Sequence, residues 1–380
     1  MPTSVWLCPE HGKEEWKMTD SVKKMIRKFG LPRIIIVLFF LFLVVCAGAF
    51  QMNLPQFFSD VLRRWGMYGV LALAMVPAIQ CGIGPNFGIT MGIVGGLLGG
   101  LVVIQLDIAQ NPALVAIHPL FAAWVAILAA IVIGVILAVG IGYLYGQLLN
   151  RVKGSEMTVT TYVGFSVIAS MNMVWMLLPF DNGELIWPNA GKGLRNTISL
   201  ASSYSGVMND TLAFSIGDFF VPTGLLLFFF LMCFLVWLFM RSKTGIAMSA
   251  AGTNPMFAKV AGINVNRMRL VGTILSTVLA AVGILVYAQA FGFIQLYNGP
   301  MMMGFTSVAA VLIGGATPRR ASIAHVLIGT FLFQGIMALG LPVVNQFIPE
   351  SNLSEVMRLI ISNGIILYAL AQAKGGDSRE

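Results

Sequence analysis

The chain has 380 residues, of which 58% are hydrophobic and only 10% charged, and its formal net charge at pH 7 is +8. A soluble globular chain carries roughly a quarter charged residues, so this composition excludes a water-covered surface and predicts a lipid-covered one. The basic balance fits a membrane protein that keeps Lys and Arg in its cytoplasmic loops, and no nucleic-acid partner is expected.

Residues 1–30 are polar and carry Lys13, Lys17, Lys23, Lys24, Arg27 and Lys28. A secretory leader places a short apolar core within its first ~15–30 residues. Here the first apolar run starts at Leu31 and is long enough to span, so 1–30 reads as a cytoplasmic basic tail suited to anionic headgroups. Cys8 and His11 in this tail supply too few ligands for zinc, which needs about four; no metal and no cofactor are expected on the chain. Cys46, Cys81 and Cys233 sit in or beside apolar runs, which predicts no disulfide framework.

Apolar segments follow at 31–50, 65–81, 88–106, 118–146, 159–179, 217–240, 269–290, 299–315, 321–341 and 354–373. They predict an all-α polytopic membrane protein with about ten transmembrane helices, each near the ~20 residues that cross ~30 Å of hydrocarbon. The divisions are the tail at 1–30, a transmembrane domain at 31–373 and a second cytoplasmic tail at 374–380. With both termini inside, only Arg63, Arg64, Lys192, Arg195 and Arg358 among the basic residues fall outside, as the positive-inside rule requires. Trp65 and Tyr68 opening the second span, Tyr143 and Tyr145 closing the fourth, and Trp237 closing the sixth are expected at the interfaces. The outer loop at 180–216 is Gly-, Ser- and Asn-rich with Trp187 and Tyr204. It reads as a cap over an external vestibule or as a plain connector.

The second and third spans are separated by Gly82-Ile83-Gly84-Pro85-Asn86-Phe87-Gly88. Backbone left unpaired at membrane depth must be buried in protein or face a wet cavity, and broken helices point to transport sites. Gln80, Asn86 and Thr90 offer uncharged hydrogen-bonding groups there. Gln295 and Asn298 form a second polar cluster, and Gln334 and Asn363 lie within later spans. Together they are the candidate solute path. Uncharged amides suit a neutral polyol or nucleoside better than a zwitterion, although such amides also bridge neighbouring helices. Gly92, Gly96 and Gly100, with Gly95 and Gly99, form a small-residue ridge for close helix packing.

The spans hold no mid-depth acid or His relay, which argues against an ion-coupled pump. No G-x-x-x-x-G-K-[ST], H-E-x-x-H or G-x-S-x-G occurs. The chain is therefore expected to be no enzyme, and energy for active transport would arrive from a partner at the cytoplasmic face. A self-sufficient secondary transporter or channel, or a membrane scaffold, are the other classes this composition admits.

The inner loop at 241–268 is the segment suited to receive that partner. Asn254 is an N-cap, Pro255 fits the first helical position, and Gly262 suits the left-handed residue that ends a helix. The short helix between them carries Met256, Phe257, Val260 and Ala261, with i,i+4 pairs forming adjacent apolar rows. That face is buried on the chain's own helix ends or docks in a groove of a partner.

Gly252-Thr253-Asn254, then Ala258, then Ala261-Gly262-Ile263-Asn264-Val265 resembles the coupling-helix signature of ATP-binding-cassette (ABC) importer permeases for simple sugars. Ala309-Ala310-Val311-Leu312-Ile313-Gly314-Gly315 and Asn363-Gly364-Ile365-Ile366-Leu367 resemble later runs of the same family, which is related to nucleoside and branched-chain amino-acid permeases. The resemblance covers about residues 60–373. It implies a bacterial-type inner-membrane permease moving a small neutral solute, a simple sugar first and a nucleoside or branched-chain amino acid as alternatives. It further implies ABC ATPase subunits that hold ATP and Mg, a second permease, identical or paralogous, and an extracytoplasmic solute-binding protein. Gly252, Asn254 to Ala258 and Val260 to Gly262 would then couple to the ATPase. The chain departs from the family pattern at 82–88, which lacks an acid, and at Ala316-Thr317-Pro318-Arg319-Arg320, where small polar residues and glycines are usual.

Overall fold

A computed structural model describes residues 31–187, 193–297 and 299–347 and scattered residues from 356 to 367. Both tails, with Cys8 and His11, Asn298, and most of the expected tenth span lie outside the described residues. The main helices are α1 (Leu31–Ala49), α2 (Leu54–Leu73), α3 (Met75–Gln80), α4 (Thr90–Gln105), α5 (Pro119–Arg151) and α6 (Glu156–Leu177). After a loop come α7 (Thr223–Arg241), α8 (Lys243–Thr253), α9 (Pro255–Val260), α10 (Val265–Phe291), α11 (Gly299–Ile313) and α12 (Ile323–Phe347). Two antiparallel ribbons interrupt the all-helical pattern: β1 (Thr197–Ser199) pairs with β4 (Phe293–Gln295), and β2 (Phe214–Ile216) with β3 (Phe219–Val221).

Among the described residues, 6 helices are long and apolar enough to cross a membrane, and α1 and α11 contain shorter apolar stretches. The second expected span differs most from its sequence reading. It begins at Leu54, where Asn53 accepts a hydrogen bond from the Gln56 amide and Pro55 sits in the first turn. Asp60, Arg63 and Arg64 dilute the hydropathy of that first half, which hid it. The run also divides in two before residue 81. Pro77 cannot donate the amide that would bond back to Leu73, so α3 is a separate short helix.

The centre of the bundle is α10, with α4, α5 and α2 packed around it. The glycine ridge of α4 explains the closeness. A Cβ on Gly92 or Gly96 would strike the Thr277 and Ala281 carbonyls of α10. A Cβ on Gly99 would strike Ala130 and Gly134 of α5. The ridge thus serves two neighbours, one on each side. By contrast α6 and α7 are mostly exposed, with Tyr162, Met173 and Leu177 on α6 and Leu227, Phe234 and Leu238 on α7 facing outward.

Three aromatics expected at interfaces lie inside the bundle. Trp65 packs edge-on against Phe229 and Phe331, and its Nε1 donates to the Leu327 carbonyl at 3.0 Å. Tyr68 meets Tyr287, and Tyr145 is buried with its hydroxyl on Asn86. A half-apolar helix such as α2 buries its aromatics against other helices once these close around it. Trp237 remains exposed at the end of α7, under the guanidinium of Arg241 at 4.2 Å, and Tyr143 is exposed too.

The loop from 180 onward has its own structure. Tyr204 is fully buried, Leu200 N donates to Gly292 O, and Gly206 N to Gln289 O. The Gln289 side chain accepts from Met208 N, and Asn209 donates to Ala290 O. These bonds clamp the loop onto the C-terminal end of α10, so the described part is a packed cap.

Candidate functional site

Two places can do chemistry with a partner or a solute, and they lie at opposite ends of α10. From Val265 to Tyr287 the helix runs about 33 Å at 1.5 Å per residue.

At the N-terminal end stands α9. The Asn254 carboxamide accepts from Phe257 N at 3.0 Å, Pro255 takes the first turn, and Gly262 follows with φ +79°. Ile263 N closes the end on the Ala258 carbonyl at 2.8 Å. Ala258 is buried with Ala251 and Val265. On the opposite face Met256, Phe257 and Val260 are 72%, 65% and 89% exposed, and Ala261 and Gly262 are exposed beside them. The apolar face therefore has no cover within the described chain, while the helix is held from behind by small residues.

The break at 81–88 reaches this end directly. Gly82 and Gly84 have φ +82° and +87°, a region costly for any residue with a Cβ. A Cβ on Gly82 would stand 2.9 Å from the Gly252 Cα, and one on Gly252 would strike the Gln80 carbonyl. Ser249 donates to the Gln80 side-chain oxygen at 3.2 Å, and the Gln80 amide donates to the Ala321 carbonyl. The broken segment thus meets α8 backbone to backbone and the loop before α12 through the Gln80 side chain. Nothing in the spacing of residues 82 and 252 announced this contact.

A buried ion pair braces the same end. Arg269 on α10 donates to Glu156 at the start of α6 at 2.6 Å and to the Leu149 carbonyl of α5 at 3.3 Å. The two side chains are 10% and 14% exposed. Lys153 and Asn150 add hydrogen bonds to Asn266.

The described solute-path residues do not converge. Asn86 is fully buried and committed: its oxygen accepts from the Tyr145 hydroxyl at 2.7 Å and from Gly88 N at 3.0 Å, and its nitrogen donates to Ser276 at 3.3 Å. Thr90 has a buried hydroxyl without a partner, at a crevice of about 10 Å³ beside Phe87, Phe165 and Phe305. That volume is about the minimum a single water needs. Gln334 is buried in α12, and Asn363 is helical and exposed.

Among the described solute-path residues, Gln295 lines a large cavity. This space of about 530 Å³ lies between α2, the C-terminal end of α10, β4 and the start of α11. Its walls include Arg63, Arg64 and Tyr68 from α2, Tyr287 and Phe291 from α10, and Met302, Met303 and Thr306 from α11. The Tyr68 and Tyr287 rings meet edge to face at 5.2 Å, and Tyr287 stacks on Phe291 at 5.5 Å and 19°. Arg63 pairs with Asp60 at 3.0 Å. Arg64 is half-buried and lies within electrostatic reach of Tyr287. Flat rings, a guanidinium, an amide and a hydroxyl around a cavity of this size suit a small ring-bearing polar molecule. Among the described residues, no carboxylate lines it. Sequence reading missed Tyr68, Tyr287, Phe291 and Arg64 as a group; the available signal was the pair Arg63 and Arg64 directly before the apolar half of α2.

Comparison with known proteins places these features in a family. Residues 57–370 match the family model described as branched-chain amino acid transport system / permease component. Over 111 residues the chain is 32% identical to the nucleoside ABC transporter permease protein NupC of Lactococcus lactis subsp. cremoris (strain MG1363), covering 29% of this chain and 35% of that protein. Over 168 residues it is 30% identical to the probable ABC transporter permease protein YphD of Escherichia coli (strain K12), covering 42% and 49% respectively. The chain thus spans about a third to a half of these curated relatives. No solved structure matches. The match over 57–370, together with a bundle of membrane-length helices, shows that this multi-pass membrane protein belongs to the branched-chain amino acid transport system / permease component family.

Proposed function

We propose that this chain is the membrane-spanning permease subunit of an ABC importer in a bacterial-type inner membrane. It has about ten spans and cytoplasmic termini, and it performs no catalysis itself. ATP and Mg belong to partner ATPase subunits that dock on α9, and a second permease, identical or paralogous, faces it across the path. A solute-binding protein delivers the solute at the end remote from α9. The observation that carries this reading is the uncovered apolar face of Met256, Phe257 and Val260 on a helix whose back is buried. A two-turn helix is marginal by itself, and here caps and small-residue packing hold it ready for a groove. Its contact through Gly252 with the break at Gly82 offers a route for a push at α9 to reach the bundle.

The cargo class is a neutral ring-bearing polar solute. A simple sugar fits Gln295, Thr306 and Arg64 as hydroxyl partners. A nucleoside is the second reading. It is favoured by the stacked Tyr287 and Phe291 rings, which offer a flat base more than a sugar ring needs, and by the nucleoside named for one relative. A branched-chain amino acid fits less well, because its ammonium finds no carboxylate among the described lining residues.

The test is to purify the tagged full chain from its native membrane in mild detergent and identify what accompanies it. A Walker-motif ATPase that is lost on Phe257→Asp supports the proposal. A well-folded chain that transports alone, without an ATPase, replaces it with a secondary transporter or channel.

A further inference from the structure

The run Ala316-Thr317-Pro318-Arg319-Arg320 borders the helix break through Pro318, and it also stands beside a cluster of basic side chains. Arg33, near the start of α1, donates through Nη2 to the Gly315 carbonyl at 2.7 Å. Gly315 has φ +104°, and a Cβ there would collide with the Arg33 guanidinium. Glycine thus makes room for the guanidinium and fixes it. The turn that follows is closed by the Thr317–Arg320 bridge, which leaves Arg320 exposed. His325, in the first turn of α12, is within electrostatic reach of both Arg33 and Arg320. Its Nδ1 is buried with no hydrogen-bond partner. Among the described residues, no carboxylate pairs with Arg33, Arg320 or His325.

Cations held together without a counterion favour an anion between them. The position says which kind. The cluster sits where α1 and α12 meet, with Phe40 packed on Phe331 at 5.9 Å. Just along these helices Ile35, Leu38 and Ile328 are exposed apolar residues at 49%, 58% and 56%. It lies at the same end as α9, because the preceding loop touches Gly84 through Pro318 and Gln80 through Ala321. Charge at the helix ends above an apolar, membrane-facing surface matches an amphiphile: a phosphate headgroup with acyl chains beneath.

We propose that Arg33, Arg320 and His325 form a site for the phosphate of an anionic phospholipid, seated between α1 and α12 at the α9 end of the bundle. Arg33 is pre-oriented by Gly315, Arg320 closes from the solvent side, and His325 supplies the inner hydrogen-bonding group. The proposal rests on membrane embedding and not on the identity of the cargo or the ATPase.

The test is native mass spectrometry of the full-length protein extracted from mixed phosphatidylcholine–phosphatidylglycerol vesicles. The expected result is retained phosphatidylglycerol, reduced about fivefold by Arg320→Gln, in line with the attraction of one basic residue for an anionic surface. Arg320→Lys retains the lipid, which separates charge from folding. Arg241→Gln removes a cation at the end of α7 and leaves retention unchanged. Equal loss with Arg241→Gln, or equal retention of phosphatidylcholine, would show general surface attraction and overturn the site. Inorganic phosphate binding that depends on Arg320, with no lipid retained, would overturn the lipid assignment. Absence of ATPase or transport activity has no bearing on any of these readouts.

Discussion

The two ends of α10 carry different kinds of site. At the N-terminal end the features are local in sequence: Asn254, Pro255 and Gly262 cap and end one short helix, and its exposed face is Met256, Phe257 and Val260. At the C-terminal end the cavity is assembled from α2, α10, β4 and α11, residues more than two hundred positions apart in the chain. A helix cap is written within four residues because its hydrogen bond is that short. A cavity wall depends on which helices become neighbours. The first kind of site is legible from sequence, and the second appears only on folding.

If the ion pair is what joins the α9 end to α5 and α6, removing half of it should be the most damaging change. Glu156→Gln leaves the Arg269 guanidinium buried with a weaker partner. It should cost about 3–5 kcal/mol, because a buried charge without its counterion is poorly solvated. Thermal unfolding of the purified protein in detergent measures this. The double change Arg269→Met with Glu156→Leu should recover much of the loss, and a double mutant as unstable as the single one would refute the pairing.

Next in size is the partner face. Phe257→Asp should weaken ATPase association by at least about tenfold, the scale of an interface hot spot, while the melting temperature stays put. Affinity capture with the cognate ATPase reads the first and the melt reads the second. A folding defect with unchanged association would mean that the face belongs to this chain's own interior.

The cavity end should respond in the opposite way. Tyr287→Ala removes a ring that stacks on Phe291 and meets Tyr68. Solute affinity should fall roughly threefold to tenfold, the range for a lost aromatic partner, with ATPase association unchanged. Uptake measured with a ribonucleoside and with its free pentose separates the two cargo readings. A loss for the nucleoside alone assigns the rings to the base, and equal losses favour a plain sugar.

The smallest effect is expected at the cap. Asn254→Ala removes the bond to Phe257 N and should cost about 1 kcal/mol of local helix stability, seen as faster amide exchange over 256–260. Unchanged exchange would mean that packing of Ala258 alone holds α9.

Asn86 shows why residue chemistry did not reveal its role. An uncharged amide in a broken helix is equally suited to a solute and to neighbouring helices. Its placement between Tyr145 and Ser276 decides that its polar atoms are already occupied. Gln80 follows the same pattern, bridging Ser249 and Ala321. Trp65 and Tyr68 are the converse case: at the start of an apolar run they resemble interfacial anchors, but the true start of α2 lies eleven residues earlier, which moves both inside.

Sequence by itself determined that the chain lives in lipid, that it is mostly helical, where the break at 82–88 falls, and the capped geometry of α9. Each of these follows from composition or from interactions within a few residues. Tertiary structure alone decided that Gly82 lies on Gly252, that Tyr68 faces Tyr287, and that Arg33 reaches Gly315. Hydropathy is nearly the same for a buried and an exposed helix: the most apolar stretches of α10 and α7 are alike in hydropathy, yet 72% of the one and 28% of the other is buried. In a membrane both lipid and protein are apolar, so the hydrophobic pattern cannot say which helix is inside. Close packing through small residues and the pairing of the few polar groups settle that, and they act between segments distant in sequence.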